Sequence, residues 1–380
     1  MRKILFCGIV AVAALSVASA AGAGAGGGSS FPATERPVST TVGSLTHGLR
    51  TTDTIPYWAS SFTSAGVTYP YTMVGTPPGS GTTTTIPTVI VPLAVHFSAK
   101  AQKLASSISP GCVNGADGSC VALDATLDAS SIVSSVVGSP VFQPAGFSWS
   151  GDTNVQYGDA VQRAEFNAVG SKWHTVLGQP QVLPTQAIDV PQNQGVAVVN
   201  RRGVLAGRVD ESWFSARLVQ LAGQLHLSSQ ALPIFQVKDV VLFGANDPND
   251  CCTFGFHGVL GSQNGNGSQQ VQTFVYDAWL TSGFFTLPTL ADVQSLSHEV
   301  AEWMNDPFNW NETPEWFADG YGCDDTLETG DPLVGTSFSL NGYDLQDEAF
   351  LSWFAGSVPS TSLGGRYSYL GTFTSPSPGC

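Results

Sequence analysis

The chain is 380 residues long and carries 14 Lys and Arg against 29 Asp and Glu, a formal net charge of −15. Nucleic acids and anionic membrane surfaces are bound through clustered Lys and Arg, so this balance argues against both as partners. Only 11% of the residues are charged, which leaves Ser, Thr, Asn, Gln and Gly to make most of the surface.

Residues 1–20 read as a signal peptide. Arg2 and Lys3 form the basic start, Ile4 to Val17 is apolar and includes Cys7, and Ala18-Ser19-Ala20 fits the small-x-small cleavage rule. The apolar run is too short to span a bilayer comfortably, so the expectation is a secreted chain, extracellular or periplasmic, with no membrane span after cleavage. Cleavage removes Arg2 and Lys3 and no acids, leaving 12 basic against 29 acidic residues and a net charge of −17. Residues 21–54 open on an Ala-Gly repeat that buries too little apolar surface to offset its ordering entropy, and read as a flexible arm.

Residues 55–206 are β-rich. Tyr69 to Val74, Thr85 to Phe97 and Val196 to Asn200 combine β-branched and aromatic residues with Gly and Pro punctuation. From residue 207 the pattern changes. Phe214, Leu218, Leu221 and Leu225 recur at helical spacing and predict a helix over Asp210 to Leu225. Phe235 to Phe243 and Val271 to Tyr276 read as strands. A second helix is predicted to start at Thr289, with Asp292 closing a capping box, and to stop at Asp306 because Pro307 cannot continue it.

Six cysteines lie beyond the signal segment: Cys112, Cys120, Cys251, Cys252, Cys323 and Cys380. An even number in an exported chain reads as disulfides. The turn-rich loop between Cys112 and Cys120 makes them a pair. The adjacent Cys251 and Cys252 are expected to bond different partners, with Cys323 and Cys380 available. The spacings fit no zinc ribbon.

The second helix carries Leu296-Ser-His-Glu-Val-Ala-Glu-Trp-Met-Asn-Asp-Pro307. His298 and Glu302 lie one turn apart and can reach one cation, the geometry of the HExxH zinc helix with Glu302 in place of the second histidine. At 100° per residue Val293, Leu296, Val300, Trp303 and Met304 share one face, and His298, Glu302 and Asn305 share the opposite one beside Ala291 and Ala301. Glu299 is rotated a quarter turn away, where a general base would stand. A solvated polar face is the plainer reading, but such faces carry Lys–Glu pairs and here no cation partners Glu302. A third ligand is expected from Glu328, Asp331 or Asp306. A His/Glu/carboxylate set is harder than His₂Glu, so zinc is the first choice while calcium, manganese or iron would also be accepted.

The segment Ser297-His-Glu-Val-Ala-Glu-x3-Asp306-Pro307, followed by Glu328-Thr-Gly-Asp331, resembles secreted bacterial zincin-like proteins with an SHExxE-x3-DP motif. It is also similar to the plant phosphate-induced, EXORDIUM-like secreted proteins. Cys251-Cys-Thr-Phe-Gly-Phe-His257-Gly and Asn341-Gly-Tyr-Asp-Leu-Gln346 match further segments of that family, so the likeness covers roughly Asp210 to Cys380. It implies a zincin-like fold, His298, Glu302 and the Glu328/Asp331 element at a metal, and Glu299 as base. Glu302 departs from true metallopeptidases, where a histidine stands. His257 is expected to line the cleft as a proton donor or fourth ligand, and Tyr321 and Tyr343 are candidate oxyanion donors. His96 follows a buried-looking strand and reads as a satisfied core residue. No G-x-S-x-G elbow, P-loop or dinucleotide fingerprint occurs.

The expected fold is α+β: a β-rich N-terminal half, then a minimal zincin-like helix-sheet-helix domain over 207–380, stapled by disulfides. The expected function is a secreted metal-dependent hydrolase, metallopeptidase-like, acting on a peptide or protein substrate. It would use a Zn2+-activated water with Glu299 as general base. The alternative is a non-catalytic cell-surface protein that keeps the scaffold around a structural ion and meets a cell-wall or matrix partner.

Overall fold

The structure is a computed structural model, described here for residues 53–108, 112, 114–244, 246–263, 269–318 and 322–380. The segment read as a signal peptide and nearly all of the expected arm lie outside the described residues, as does Tyr321. The fold is mixed α and β and strand-rich. Among the described residues no helix is long and apolar enough to cross a membrane.

A seven-stranded sheet organises the molecule. Its main path runs Gln186–Asp189, Thr88–Phe97, Leu232–Lys238, Gln269–Trp279 and Gly255–Gln263, with Ala125–Asp128 and Gln181–Val182 pairing onto Thr88–Phe97. The central strands are parallel: Ile234 faces Ile90 on one side and Val275 on the other. The last strand, Gly255–Gln263, is antiparallel to Gln269–Trp279 and forms one edge, with His257 opposite Val275.

Side-chain alternation along these strands feeds two cores. Ile90, Ile234, Val275 and Val259 face one side, where they pack with Val293, Leu296, Val300, Trp303 and Met304 of the helix Gln294–Asn305, hereafter the motif helix. Val91, Phe235, Phe274 and Tyr276 face the other, against Phe214, Leu218 and Leu221 of the backing helix Glu211–Leu225. Burial on both faces explains why Leu232–Lys238 reads as a nearly unbroken apolar run.

The backing helix lies where its periodicity predicts, with the Asp210 carboxylate accepting the Trp213 N–H at 2.9 Å as its cap. Two expectations about these elements are corrected. Phe235 to Phe243 is not one strand: Asp239 takes a left-handed conformation (φ 53°) and separates Leu232–Lys238 from Val240–Phe243. The two pieces enter different sheets, the second beside Leu205–Asp210, and the Asp239 carboxylate is tied to Thr281 N–H and Oγ1 at 2.6 and 2.7 Å.

The motif helix begins at Gln294, not Thr289, and has no side-chain cap. Asp292 is left-handed (φ 43°) and its carboxylate accepts from the Asp344 N–H at 3.0 Å, which draws a later hairpin onto the helix start instead of closing a capping box. The stop at Asp306 before Pro307 is as predicted.

The β-rich half and the segment from residue 207 share one sheet. Thr88–Phe97, from the β-rich half, is hydrogen-bonded to Leu232–Lys238 inside the same sheet. The β-rich half also contains helices, among them Tyr157–Glu165, which packs in the same core as the motif helix.

Cys112 and Cys120 are bonded as expected. Cys251 and Cys252 bond each other across a cis peptide, and Cys323 takes Cys380, with Cα atoms 6.0 Å apart. The expectation of separate partners for the adjacent pair is therefore overturned.

Candidate metal centre

The motif helix is buried along its whole length, polar face included. Trp303 fixes it to the sheet by donating its indole N–H to Thr273 Oγ1 at 3.0 Å. The edge strand lies over the polar face. Strand alternation puts His257 on the same side as Val259, towards the helix, while Gly255 provides the room that Glu299 occupies. A Cβ at position 255 would run into the Glu299 carboxylate and Ser295 Oγ.

The third element is the loop after the hairpin Glu312–Ala318/Gly322–Thr326, which brings Glu328, Gly330 and Asp331. The N–H groups of Gly330 and Asp331 donate to Glu302 Oε1 at 3.0 and 3.2 Å, so one carboxylate oxygen is fixed and Oε2 faces the cluster.

Glu302 Oε2 lies 3.1 Å from His298 Nε2 and 3.7 Å from His257 Nδ1. Asp331 Oδ1 is 3.6 Å from His298 Nε2, and Glu328 Oε2 is 3.9 Å from His257 Nε2. Glu299 spans both rings, 3.6 Å from His257 Nδ1 and 3.7 Å from His298 Nε2. None of these six residues is more than 4% exposed. Bonds of 2.0–2.2 Å in a tetrahedral site separate ligand atoms by roughly 3.3–3.6 Å, so these spacings suit a divalent cation with small adjustments.

The proton positions argue the same way. His257 Nε2 lies 3.1 Å from the Asp306 backbone oxygen, which can only accept, so Nε2 carries the proton. In the neutral ring Nδ1 then presents a lone pair to Glu299 and Glu302. Burial pushes His257 down to about 4, overriding the attraction of Glu302. Burial likewise raises Glu299 and Glu328 well above the carboxylate range, reinforced by Glu302 and Asp331. For Glu302 burial is outweighed by His298, His257 and the Gly330 amide, and its carboxyl is lowered.

His257 Nδ1, both oxygens of Glu299 and Glu328 Oε2 are buried with no hydrogen-bond partner. Such groups are costly to leave unpaired in a protein interior. No described Lys or Arg pairs with Glu299, Glu302 or Glu328. A metal ion among these atoms would satisfy them together. The residues fit a metal; they do not choose between zinc and a harder ion.

The structure thus brings together His257, His298, Glu299, Glu302, Glu328 and Asp331. It does not bring in Asp306 as a ligand. Both of its oxygens are used by the backbone, accepting from Trp310 N–H at 3.1 Å and Asn311 N–H at 3.0 Å, and burial raises it to about 7. Tyr343 is half-buried against the apolar core, with its hydroxyl near Gly138. His96 is not a core residue: its side chain is 40% exposed and pairs with Asp124 and Asp189 at the sheet margin.

Two polar residues next to the site had no role assigned from the sequence, although Gln346 closes a segment quoted for the family likeness. The Gln346 side-chain amide contacts His298 Nδ1 at 2.6 Å and the Gly330 carbonyl at 2.7 Å, positioning ring and loop together. Glu348 is wholly buried, held by Thr329 Oγ1 at 3.1 Å and Tyr157 Oη at 3.2 Å, and burial raises it well above the usual range. The only signal for Glu348 is its place before an apolar run, Ala349-Phe-Leu-Ser-Trp-Phe354. Comparisons of the chain with protein-family models, curated proteins and solved structures return no match.

Proposed function

We propose that this chain is a secreted, zincin-like, metal-dependent hydrolase acting on peptide-type bonds, with zinc as the first-choice ion and calcium or manganese as alternatives. The observation that carries the reading is the clustering of two imidazoles and four carboxylates in one buried patch, with no described Lys or Arg paired with Glu299, Glu302 or Glu328. The placement of the motif helix under an antiparallel edge strand, with a second helix backing the sheet, supports a zincin-like architecture. Three disulfides and the basic-apolar-small start of the chain support export.

A divalent ion bound here would supply Lewis acidity and make a nearby water more acidic. His298 and Glu302 are the ligands presented by the helix, and the loop amides of Gly330 and Asp331 hold Glu302 in place. Glu299, between both rings, takes the water proton at its carboxylate and returns it to the leaving amine. Its raised affinity for a proton suits the second half of that cycle. Metal analysis and peptide hydrolysis by wild type and Glu299→Gln test this. The expected result is metal in both proteins and a rate loss of at least about 10²-fold in the variant. A metal-free wild type, or equal hydrolysis by the two, overturns it.

A second reading has its own observation. No cluster residue exceeds 4% exposure, as in a closed structural site. On that reading the protein is a non-enzymatic cell-surface or matrix component, chelation lowers its melting temperature, and no substrate is turned over.

A further inference from the structure

The six clustered side chains do not form one set of ligands. Five of them fall into two groups of donor atoms, His257, Glu302 and Glu328 in one and His298, Glu302 and Asp331 in the other, each with all atoms within 4.8 Å of one another, and Glu299 is in neither. Glu302 belongs to both, and the same oxygen faces both histidines: Oε2 is 3.1 Å from His298 Nε2 and 3.7 Å from His257 Nδ1. Its other oxygen is occupied by the Gly330 and Asp331 amides. We infer that the centre binds two divalent cations, one in each group, with Glu302 Oε2 bridging them. This rests on reading the cluster as a metal centre.

Two further observations support the second cation. The first is His257. Its Nε2 proton is committed to the Asp306 carbonyl at 3.1 Å, so Nδ1 has only an electron pair to offer Glu302 Oε2 and, at 3.6 Å, Glu299 Oε2. Nδ1 and Glu328 Oε2 are both buried without a hydrogen-bond partner, and neither His257 nor Glu328 belongs to the His298, Glu302 and Asp331 group. A histidine anchored through one nitrogen by a backbone carbonyl, with the other aimed at carboxylates, is oriented as metal ligands are.

The second observation is charge. Glu299, Glu302, Glu328 and Asp331 lie together with two imidazoles in a dry interior, and a dication in each group would let all four carboxylates be ionised there. Two dications match them. An oxygen bridge also suits the separation of roughly 3.5–4 Å usual in two-metal centres.

The test is metal counting. The purified protein, disulfides intact, is stripped with chelator, saturated with zinc alone and desalted. Zinc per chain is then measured by mass spectrometry, with X-ray absorption reporting metal–metal scattering. The expected result is two zinc ions per chain with a metal–metal distance of roughly 3.5–4 Å. His257→Ala and the nearly isosteric Glu328→Gln should each retain one and lose the metal–metal signal, while zinc still raises their melting temperatures. Should His257→Ala fail to fold, Glu328→Gln carries the comparison. One zinc in wild type overturns the two-cation centre and leaves the metal reading standing, as do two retained by Glu328→Gln. No bound zinc overturns both.

Discussion

At the scale of single residues, the centre depends on atoms that are missing as much as on those present. Gly330 has an ordinary helical conformation (φ −85°), so alanine costs its backbone nothing, but a Cβ there would collide with the His298 ring. Gly330→Ala is expected to cost about 1–3 kcal/mol of stability and to weaken zinc binding at least tenfold in an equilibrium titration. Gly223, in the backing helix, has open space around its Cβ position and serves as the control: alanine there should stabilise by up to about 1 kcal/mol with zinc affinity unchanged. Away from the cluster, Glu165 is wholly buried, and burial lifts it from 4.5 to about 8 against one amide bond, the Leu351 N–H at 2.6 Å. Between those pH values the folded chain holds a proton that the unfolded chain has released, so stability falls as pH rises from 4.5 to about 8 and is flat above. Glu165→Gln keeps an oxygen for Leu351 and should remove that slope, gaining a few kcal/mol at pH 8 and little at pH 4.5 by urea unfolding. A slope equal to that of wild type would refute the assignment. The sequence made His298, Glu299 and Glu302 legible because their spacing is local to one helix. It could not show that Asp306 spends both oxygens on the following turn, nor that His257 offers the nitrogen facing the ligands.

At the scale of elements, what could be read was what depends on neighbours in the chain. The backing helix was legible because its apolar residues repeat at helical spacing and Asp210 caps it, and those interactions are all local. Asp210→Ala should cost about 0.5–2 kcal/mol in denaturant unfolding and leave metal content unchanged, which separates scaffold from centre. A change in metal content would mean that the two faces of the sheet are coupled. The start of the motif helix was misread because a Thr–x–x–Asp pattern is only one use for those side chains. Asp292 instead binds the Asp344 amide, a partner 52 residues away. The break at Asp239 was hidden for the same reason: a left-handed aspartate inside an apolar run is held by Thr281, far along the chain.

At the scale of the whole molecule, sequence patterning found several strands, missed the edge strand Gly255–Gln263 and left all partners open. The boundary drawn at 206/207 followed a change of local pattern, yet Thr88–Phe97 and Leu232–Lys238 are paired residue by residue across it. Such pairing is set by burial of both sheet faces, which no local window contains. A fragment of residues 207–380 should therefore fail to fold cooperatively, losing the strand beside Leu232–Lys238 and exposing Ile234 and Phe235; the measurement is its thermal unfolding by circular dichroism. A cooperative transition in that fragment would mean that residues 207–380 fold without the strand Thr88–Phe97.

The depth of the centre bears finally on time rather than on affinity. With the cluster no more than 4% exposed, an ion can leave only when the edge strand, the motif helix or the Glu328–Asp331 loop parts from the others. Dissociation is then gated by breathing of the protein, and a scavenger in solution waits for openings that it cannot hasten. A metal once captured would stay through long dilution in a medium poor in that metal, as the proposed secreted role would require.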